Sequence, residues 1–200
     1  MNRPALLMVA MEPPPPLEEE FHDWYDTEHL PQRRALPGFV SATRWTCVAG
    51  WPRWLALYEL DAVAALQSDA YRAVSGSNST PWSRRLLPRT VGRLRVVAEA
   101  MDGGRPALDD RRASRLVVAG IEAAGDLAAA AASALRASLS THDALVSSTV
   151  FVEPTAQRLW LLATFDAPIQ ADAVAERLGR PAGCAVSSFN VYVPYRRSTY

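Results

Sequence analysis

Two histidines and an aspartate lie close together in the segment from Leu17 to Pro31, which reads LEEEFHDWYDTEHLP. On a helix, His22 and Asp26 are one turn apart, and Asp26 reaches His29 at a spacing of three residues. A histidine is well prepared for proton transfer when a carboxylate holds one ring nitrogen and orients the other. The spacing therefore predicts that His29 is a general base or acid, with Asp26 or His22 as its orienting partner.

The alternative is that both histidines are solvated. A histidine near the carboxyl end of a helix is favoured by the helix dipole alone. We expect no metal site, because His22 and His29 are two helical turns apart, about 10 Å, and cannot share an ion without bending the helix.

Aromatic and basic side chains predict the wall of a small-molecule pocket around this helix. Five aromatic residues would form an apolar wall suited to a ligand with a ring, namely Tyr25, Trp45, Trp54, Tyr58 and Trp82. Two basic residues could bind a carboxylate or enolate oxygen, namely Arg33 and Arg44. Packing in the core is the alternative for the aromatic residues, and surface ion pairs are the alternative for the arginines.

The composition excludes several classes of function. The 200 residues include 21 basic and 21 acidic side chains, and every basic residue is arginine. A chain without lysine has no Schiff base and no P-loop, and no glycine-rich turn suggests a dinucleotide or flavin, so we expect no cofactor. Zero net charge argues against a nucleic-acid partner.

No apolar run approaches the roughly 20 residues of a membrane helix, and no signal peptide opens the sequence. We therefore expect no membrane partner and a cytoplasmic location, with a small molecule as the ligand.

The sequence can be aligned with itself. At an offset of 110 residues, the stretch 6–12 falls on 116–122, and at an offset of 105, the stretch 54–61 falls on 159–166. Each unit shows the order strand, helix, strand, strand, helix, strand. In the first unit, the predicted strands span 5–12, 39–48, 53–60 and 91–98, and the predicted helices span 17–29 and 62–74. This order predicts an α+β protein of two tandem ferredoxin-like βαββαβ repeats.

The strand over residues 53–60 is apolar on nearly both sides, which predicts that the antiparallel sheets of the two repeats pack face to face as an intrachain α/β barrel. The predicted domains are a repeat over 1–100 that carries the site, a linker over 101–114, and a degenerate repeat over 115–200.

The alignment also predicts that the site is single. His22 falls on Ala132, and His29 falls on Leu139. If the polar residues merely completed a helix surface, the second copy could be expected to keep similar ones.

The run FHDWYDTEHLPQRRALPGFVSATRW, residues 21–45, resembles the dimeric α/β barrel superfamily, in particular its EthD-like branch. Members have a helix that ends in a tryptophan, histidine and proline signature, followed by a Pro-Gly turn and a strand. The matching residues are Trp24, Glu28, His29, Leu30, Pro31, Pro37 and Gly38. The family histidine corresponds to His29.

The resemblance implies a barrel that is usually formed between two chains, so a homodimer is one expected assembly, although a duplicated chain could form the pair internally. Members include polyketide cyclases, muconolactone-type isomerases and cofactor-independent monooxygenases. They bind small aromatic or lactone ligands.

The leading expectation is a cofactor-independent enzyme that transfers a proton at His29 in the isomerisation, cyclisation or elimination of an aromatic, lactone or polyketide-like substrate. The alternatives are a non-catalytic protein that binds a small hydrophobic ligand, a cofactor-independent monooxygenase, and a structural subunit.

Overall fold

Eight antiparallel strands form one closed barrel in the order β1-β3-β2-β8-β5-β7-β6-β4. The computed structural model describes residues 3–101, 110–123, 127–155, 158–178 and 184–197. The strands are β1 Ala5–Glu12, β2 Phe39–Ala49, β3 Trp54–Leu60, β4 Val91–Ala100, β5 Arg115–Ala123, β6 Leu145–Glu153, β7 Arg158–Phe165 and β8 Cys184–Pro194. The predicted strand positions over 5–12, 39–48, 53–60 and 91–98 are confirmed to within two residues at each end.

The predicted fold class, two ferredoxin-like repeats whose separate sheets pack face to face with flanking helices, is wrong. Hydrogen bonds pair β2 with β8 and β4 with β6, and these two seams join all eight strands into one barrel with few helices. The prediction explained the apolar residues on both sides of β3 by contact between two sheets. In the structure, one side of β3 faces the barrel interior and the other side faces helical segments. Leu55 and Leu57 fill the barrel interior, whereas Ala56 and Tyr58 point outward against helical segments.

The barrel interior is packed with side chains. An eight-stranded barrel is just wide enough for side chains to fill it. Alternate residues of each strand point inward, and the largest inward residues are Trp45, Phe151, Trp160 and Tyr192. Side chains therefore occupy the space along the barrel axis. None of the cavities described below runs along this axis.

The helices are short and pack on the outer surface. They are α1 Glu18–Trp24, α2 Leu30–Arg34, α3 Asp69–Arg72, α4 Pro81–Leu86, α5 Ala128–Leu139 and α6 Ala171–Arg177. One cluster of buried residues joins α1 and α2 to the outer side of β1 and β3, and another joins α5 to the outer side of β5 and β7.

Two predicted helices differ from the structure. The predicted helix over 62–74 is broken into a 3-10 turn, Val63–Gln67, and the short α3, because the Ser68 hydroxyl caps α3 by accepting a hydrogen bond from the Tyr71 N–H. The first helix does not end at His29. A π-helical turn, Tyr25–His29, connects α1 directly to α2 and extends the helical segment to Arg34.

The two halves of the chain contribute four strands each in the same spatial order, β4-β1-β3-β2 and β8-β5-β7-β6. The domain boundaries at 100 and 115 stay predictions, and residues 102–109 of the predicted linker lie outside the described residues. None of the helices in the described part of the chain is long and apolar enough to span a bilayer.

Candidate active site

A π-helical turn positions His29. The N–H of Leu30 donates to the carbonyl of Tyr25, five residues back, instead of four as in an α-helix. Pro31 follows at once, and proline has no N–H for the carbonyl four residues before it, so the wider turn suits this sequence. Such turns occur often at functional sites. The turn places the imidazole of His29 against the rings of Trp24 and Tyr25, at centroid distances of 4.3 and 5.4 Å.

His29 lines a cavity of about 160 Å³ between the outer side of the barrel and the helical segments. The apolar side of this cavity comes from β1 and from the residue after α4, namely Leu7, Val9, Met11 and Leu87. The polar side comes from the helical segments and from β3 and β4, namely Tyr25, His29, Arg33, Tyr58, Tyr71, Ser75, Ser79, Arg93 and Arg95. We refer to this space as the His29 cavity.

His29 is held neutral. Burial, together with the positive charges of Arg33 and Arg44, lowers the pKa of His29 from 6.5 to about 3. Its Nδ1 atom is buried and has no hydrogen-bond partner. A buried polar atom without a partner costs about 1–3 kcal/mol, so a ligand group that satisfies Nδ1 would be bound favourably.

Two buried tyrosines stand beside His29. Burial raises the pKa of Tyr25 to about 12 and raises the pKa of Tyr58 well above its usual value, so both hydroxyls keep their protons. The Tyr58 hydroxyl is buried and makes no hydrogen bond of ordinary geometry. The hydroxyls of Tyr25 and Tyr58 interact with each other, and either could donate to a ligand oxygen in the cavity.

The cavity is electrically positive. Arg33 is only 6% exposed and donates to the carbonyl of Val74 at 3.0 Å, and its guanidinium lies 5.3 Å from the ring centre of Tyr71. Burial lowers the pKa of Arg33. Arg93 and Arg95 project from the outer face of β4 to the same cavity. Among the described residues, no carboxylate lines the His29 cavity, so an anionic ligand would meet three guanidinium groups.

A second polar cluster surrounds Arg44, which is 5% exposed. Arg44 donates to the Asp26 carboxylate at 2.7 Å and to Nδ1 of His22 at 2.9 Å. Its guanidinium also lies over the rings of Tyr25 and Tyr195, 4.5 and 4.1 Å from their centres. Because arginine only donates, Nδ1 of His22 must accept, and the neutral ring carries its proton on Nε2.

His22 is therefore fixed as a neutral acceptor for Arg44. Burial is the main reason that the pKa of His22 is lowered to about 4, and the charge of Arg44 is the second reason. Arg44 stands between His22 and Asp26 and bonds to both, so the two residues act as partners of Arg44. An open cleft of about 410 Å³ beside this cluster is lined by Asp26, Thr27, Leu30, Arg34, Arg44, Asp110, Tyr195 and Arg197.

The structure separates the residues that the sequence suggested as one site. It brings together His29, Tyr25, Tyr58 and Arg33 at the His29 cavity. It places His22, Asp26 and Arg44 in the second cluster, where Trp54 packs its ring edge-on against His22 at 4.4 Å.

Three of the predicted wall residues line neither the His29 cavity nor the open cleft, namely Trp45, Trp54 and Trp82. Trp45 lies in the barrel interior and donates to the Thr43 hydroxyl at 2.9 Å. Trp82 donates to the Glu20 carboxylate at 2.8 Å and packs against the cluster under α1.

Sequence reasoning missed Arg93, Arg95 and Tyr195. A signal existed for the two arginines, because they alternate with Leu94 and Val96 along β4 and so share the outer face of a strand whose inner face is apolar. No signal in the sequence indicated that Tyr195, which follows β8, stacks on His22 at 4.9 Å. In the described part of the chain, no group of three or more histidine, cysteine or acidic side chains could hold a metal ion.

No protein-family model matches the chain, and no curated protein matches it either. Several solved structures, however, are similar to the chain. An anthrone oxidase-like protein has a TM-score of 0.62 at 14% identity, covering 98% of this chain and 92% of its own. A candidate monooxygenase from Lactobacillus acidophilus has a TM-score of 0.56 at 7% identity, with coverage of 97% and 94%. A haem-binding protein from Thermus thermophilus has a TM-score of 0.63 at 12% identity, with coverage of 98% and 92%.

These similarities cover nearly the whole of each chain, and they show the fold. The chain has the same α+β barrel fold as these solved structures. At such low identity the reaction has to be argued from the residues of the site.

Proposed function

We propose that the chain is a small-molecule enzyme that removes a proton from an enolisable aromatic substrate at His29 and lets the resulting anion react with dioxygen, without a bound cofactor. One observation carries the proposal, namely that the neutral His29 lines a cavity while its buried Nδ1 has no hydrogen-bond partner. A neutral imidazole nitrogen with no other contact is free to accept a proton from a ligand.

Because the pKa of His29 is lowered to about 3, the transfer of a proton from a ligand to His29 depends on the negative charge that the ligand gains. A proton on His29 is unfavourable beside the positive charges of Arg33 and Arg44. An enolate or phenolate formed beside it would compensate both arginines, which would raise the pKa of His29. The Tyr58 hydroxyl and the Arg33 guanidinium could stabilise the negative oxygen that forms in this step.

The oxidation balances without a further reductant. A methylene group between aromatic rings and conjugated with a carbonyl loses one proton to His29 and reacts as the carbanion with dioxygen. The peroxide that forms loses water to give a ketone, so that R₂CH₂ and O₂ become R₂C=O and H₂O. Support comes from the solved structures with the same fold, which include an anthrone oxidase-like protein and candidate monooxygenases.

The isomerase or cyclase reaction expected from the sequence uses the same first step. Proton removal at His29 followed by return of the proton to another atom would give an isomer and consume no dioxygen. The expected assignment to the EthD-like branch remains part of this proposal, supported by the Trp24, His29 and Pro31 pattern.

Haem does not fit the His29 cavity. The imidazole of His29 could bind the iron, but the volume of about 160 Å³ lies below the roughly 300 Å³ at which pockets begin to hold drug-sized ligands. A porphyrin is larger than such ligands. We therefore expect added hemin to give no Soret shift that depends on His29, and a shift that His29→Gln abolishes would contradict this part of the proposal.

The test uses anthrone as the substrate and an oxygen electrode as the readout. We expect equimolar consumption of anthrone and dioxygen by the wild type and a rate lower by about 10²–10⁴-fold in His29→Gln. His142→Gln is the matched control, since it replaces a histidine that belongs to neither the His29 cavity nor the Arg44 cluster, and its rate should equal that of the wild type.

Three results would contradict the proposal in different ways. Exchange of the methylene protons for deuterium without oxygen uptake would favour an isomerase. Binding without exchange or uptake would favour a ligand-binding protein. Equal rates in the wild type and in His29→Gln would remove His29 from the mechanism.

A further inference from the structure

Arg93 and Arg95 form a pair of guanidinium groups at the mouth of the His29 cavity. They are two residues apart on β4, so they share its outer face, and both are exposed. Arg95 lies opposite Val9, which belongs to the floor of the cavity. Within the described residues neither arginine has an ion-pair partner, whereas Arg44, Arg53 and Arg197 each pair with a carboxylate.

Arg95 also borders a second cavity of about 310 Å³ on the same face of the barrel. Its other lining residues are Val63, Val97, Glu153, Pro154 and Thr155. Because both cavities have Arg95 in their wall, they are neighbours separated by one long and exposed side chain. The His29 cavity alone holds only part of a ligand with several rings such as anthrone, but the two cavities together fall within the roughly 300–1,000 Å³ typical of ligand sites.

The charges of the two cavities differ. The His29 cavity has three arginines and no carboxylate among its described lining residues, whereas the second cavity has the Glu153 carboxylate in its wall. Glu153 accepts a hydrogen bond from the Trp160 indole at 3.4 Å, which holds its carboxylate at the β6 wall of the second cavity. A ligand carboxylate would therefore be stable at the junction, beside the arginines, and unfavourable farther out.

We propose that the substrate is an elongated aromatic acid. Its reacting ring lies beside His29, its carboxylate is bound between Arg93 and Arg95, and the rest of the molecule extends over Val97. Two guanidinium groups side by side suit the two oxygens of a carboxylate, with which they form paired, charge-assisted hydrogen bonds. The identity of the reacting group rests on the proposed function. The carboxylate of the substrate and its position are inferred from Arg93 and Arg95 on β4.

The test compares two ligands of one shape. The probes are 2-anthracenecarboxylate and 2-anthracenecarboxamide, titrated by fluorescence without oxygen. We expect the wild type to bind the acid at least about tenfold more tightly than the amide, as for loss of one charged hydrogen bond. Arg93→Gln and Arg95→Gln should each reduce this preference, and Arg3→Gln, an exposed arginine outside both cavities, should preserve it.

A second variant tests the length of the ligand. Thr155 is exposed in the turn after β6, so Thr155→Trp can fill the second cavity without disturbing a strand. We expect Thr155→Trp to weaken the binding of 2-anthracenecarboxylate about tenfold or more and to leave the binding of benzoate unchanged. Thr141→Trp, which adds the same volume at an exposed threonine outside both cavities, should behave as the wild type with both ligands.

Equal affinity of the wild type for the acid and the amide would overturn the proposal, and so would a failure of both 2-anthracenecarboxylate and benzoate to bind. Equal weakening of both acids by Thr155→Trp would overturn the elongated shape. Acid preference without His29-dependent oxygen uptake would leave this inference standing and overturn the proposed function. Oxygen uptake that depends on His29, without a preference for the acid, would leave the proposed function standing and overturn this inference.

Discussion

The rings of Trp24 and His29 lie 4.3 Å apart although the two residues are separated by five positions in one helical segment. In an α-helix, residues five apart differ in direction by about 140°, at about 100° per residue, and point to different faces. The π turn between them removes this difference. The contact of His29 with the apolar face of α1, and with it the position of His29 at the cavity, depends on one extra residue in the helix.

Deletion of Thr27 should abolish this arrangement. Thr27 is exposed, and its hydroxyl only donates to the carbonyl of Asp23 at 2.7 Å. Without one residue the segment would become α-helical, and either Trp24 or Leu30 would rotate by about 100° out of the core. We expect the free energy of unfolding, measured in urea, to fall by about 2–5 kcal/mol.

The substitution Thr27→Ala is the control for the deletion, since it removes the same hydroxyl but keeps the number of residues. It should change the free energy of unfolding by no more than about 0.5 kcal/mol. A deletion variant as stable as Thr27→Ala, with its His29-dependent activity intact, would show that the π turn does not position His29.

Arg44→Met should destabilise the protein strongly. The variant loses the charged hydrogen bonds to Asp26 and to His22 and leaves the Asp26 carboxylate with Arg197, 3.9 Å away, as its nearest charged partner. We expect a loss of about 2–3 kcal/mol in the free energy of unfolding.

Arg158→Met is the matched control for Arg44→Met. Arg158 pairs with Glu122 at 3.2 Å, but this pair is exposed, so its loss should cost less than about 1 kcal/mol. Similar losses in the two variants would mean that burial does not strengthen the Arg44 cluster.

Stability should fall as the pH is lowered through the acidic range. The pKa values of His22 and His29 are lowered in the folded protein, to about 4 and about 3, from 6.5 in the unfolded chain. Below pH 6.5 the unfolded chain takes up protons at these sites while the folded protein does not, so unfolding is favoured. The free energy of unfolding should drop by up to about 1.4 kcal/mol per pH unit for each histidine.

The contribution of His29 can be isolated by comparison with His29→Gln. Its free energy of unfolding should depend less steeply on pH between pH 6 and pH 4 than that of the wild type, and the two curves should run parallel above pH 7. Parallel curves over the whole range would show that His29 takes up its proton equally well in both states and is not buried as described.

Ser83→Ala should weaken the attachment of α1 to α4. The buried indole of Trp24 donates to the Ser83 hydroxyl at 3.1 Å, and the Thr80 hydroxyl donates to the same oxygen at 2.9 Å. Removal of the acceptor leaves a buried donor unsatisfied, and we expect a loss of about 1–2 kcal/mol in urea denaturation. Ser140→Ala, which removes an exposed hydroxyl after α5, should cost less than about 0.5 kcal/mol.

The amino-acid sequence by itself was enough to predict the strands of the first half of the barrel, whereas the role that it suggested for His29 stays a prediction. Strand positions follow from local alternation and from turn residues, and β1 was predicted to the residue. The self-alignment placed Leu139 opposite His29, and Leu139 is fully buried among apolar residues under α5 while His29 lines a cavity. That comparison correctly distinguished a packing position from a polar one, although the duplication that it assumed stays a prediction.

The closure of the barrel and the division of the polar residues were decided by tertiary structure. The seams between β2 and β8 and between β4 and β6 pair residues far apart in the chain, and an edge strand carries no local signal for its partner. Helical spacing alone joined His22 and Asp26 to His29. The π turn directs His29 toward the His29 cavity. Arg44 extends from β2 and binds His22 and Asp26 instead, because a buried guanidinium binds the acceptors that the fold brings within its reach.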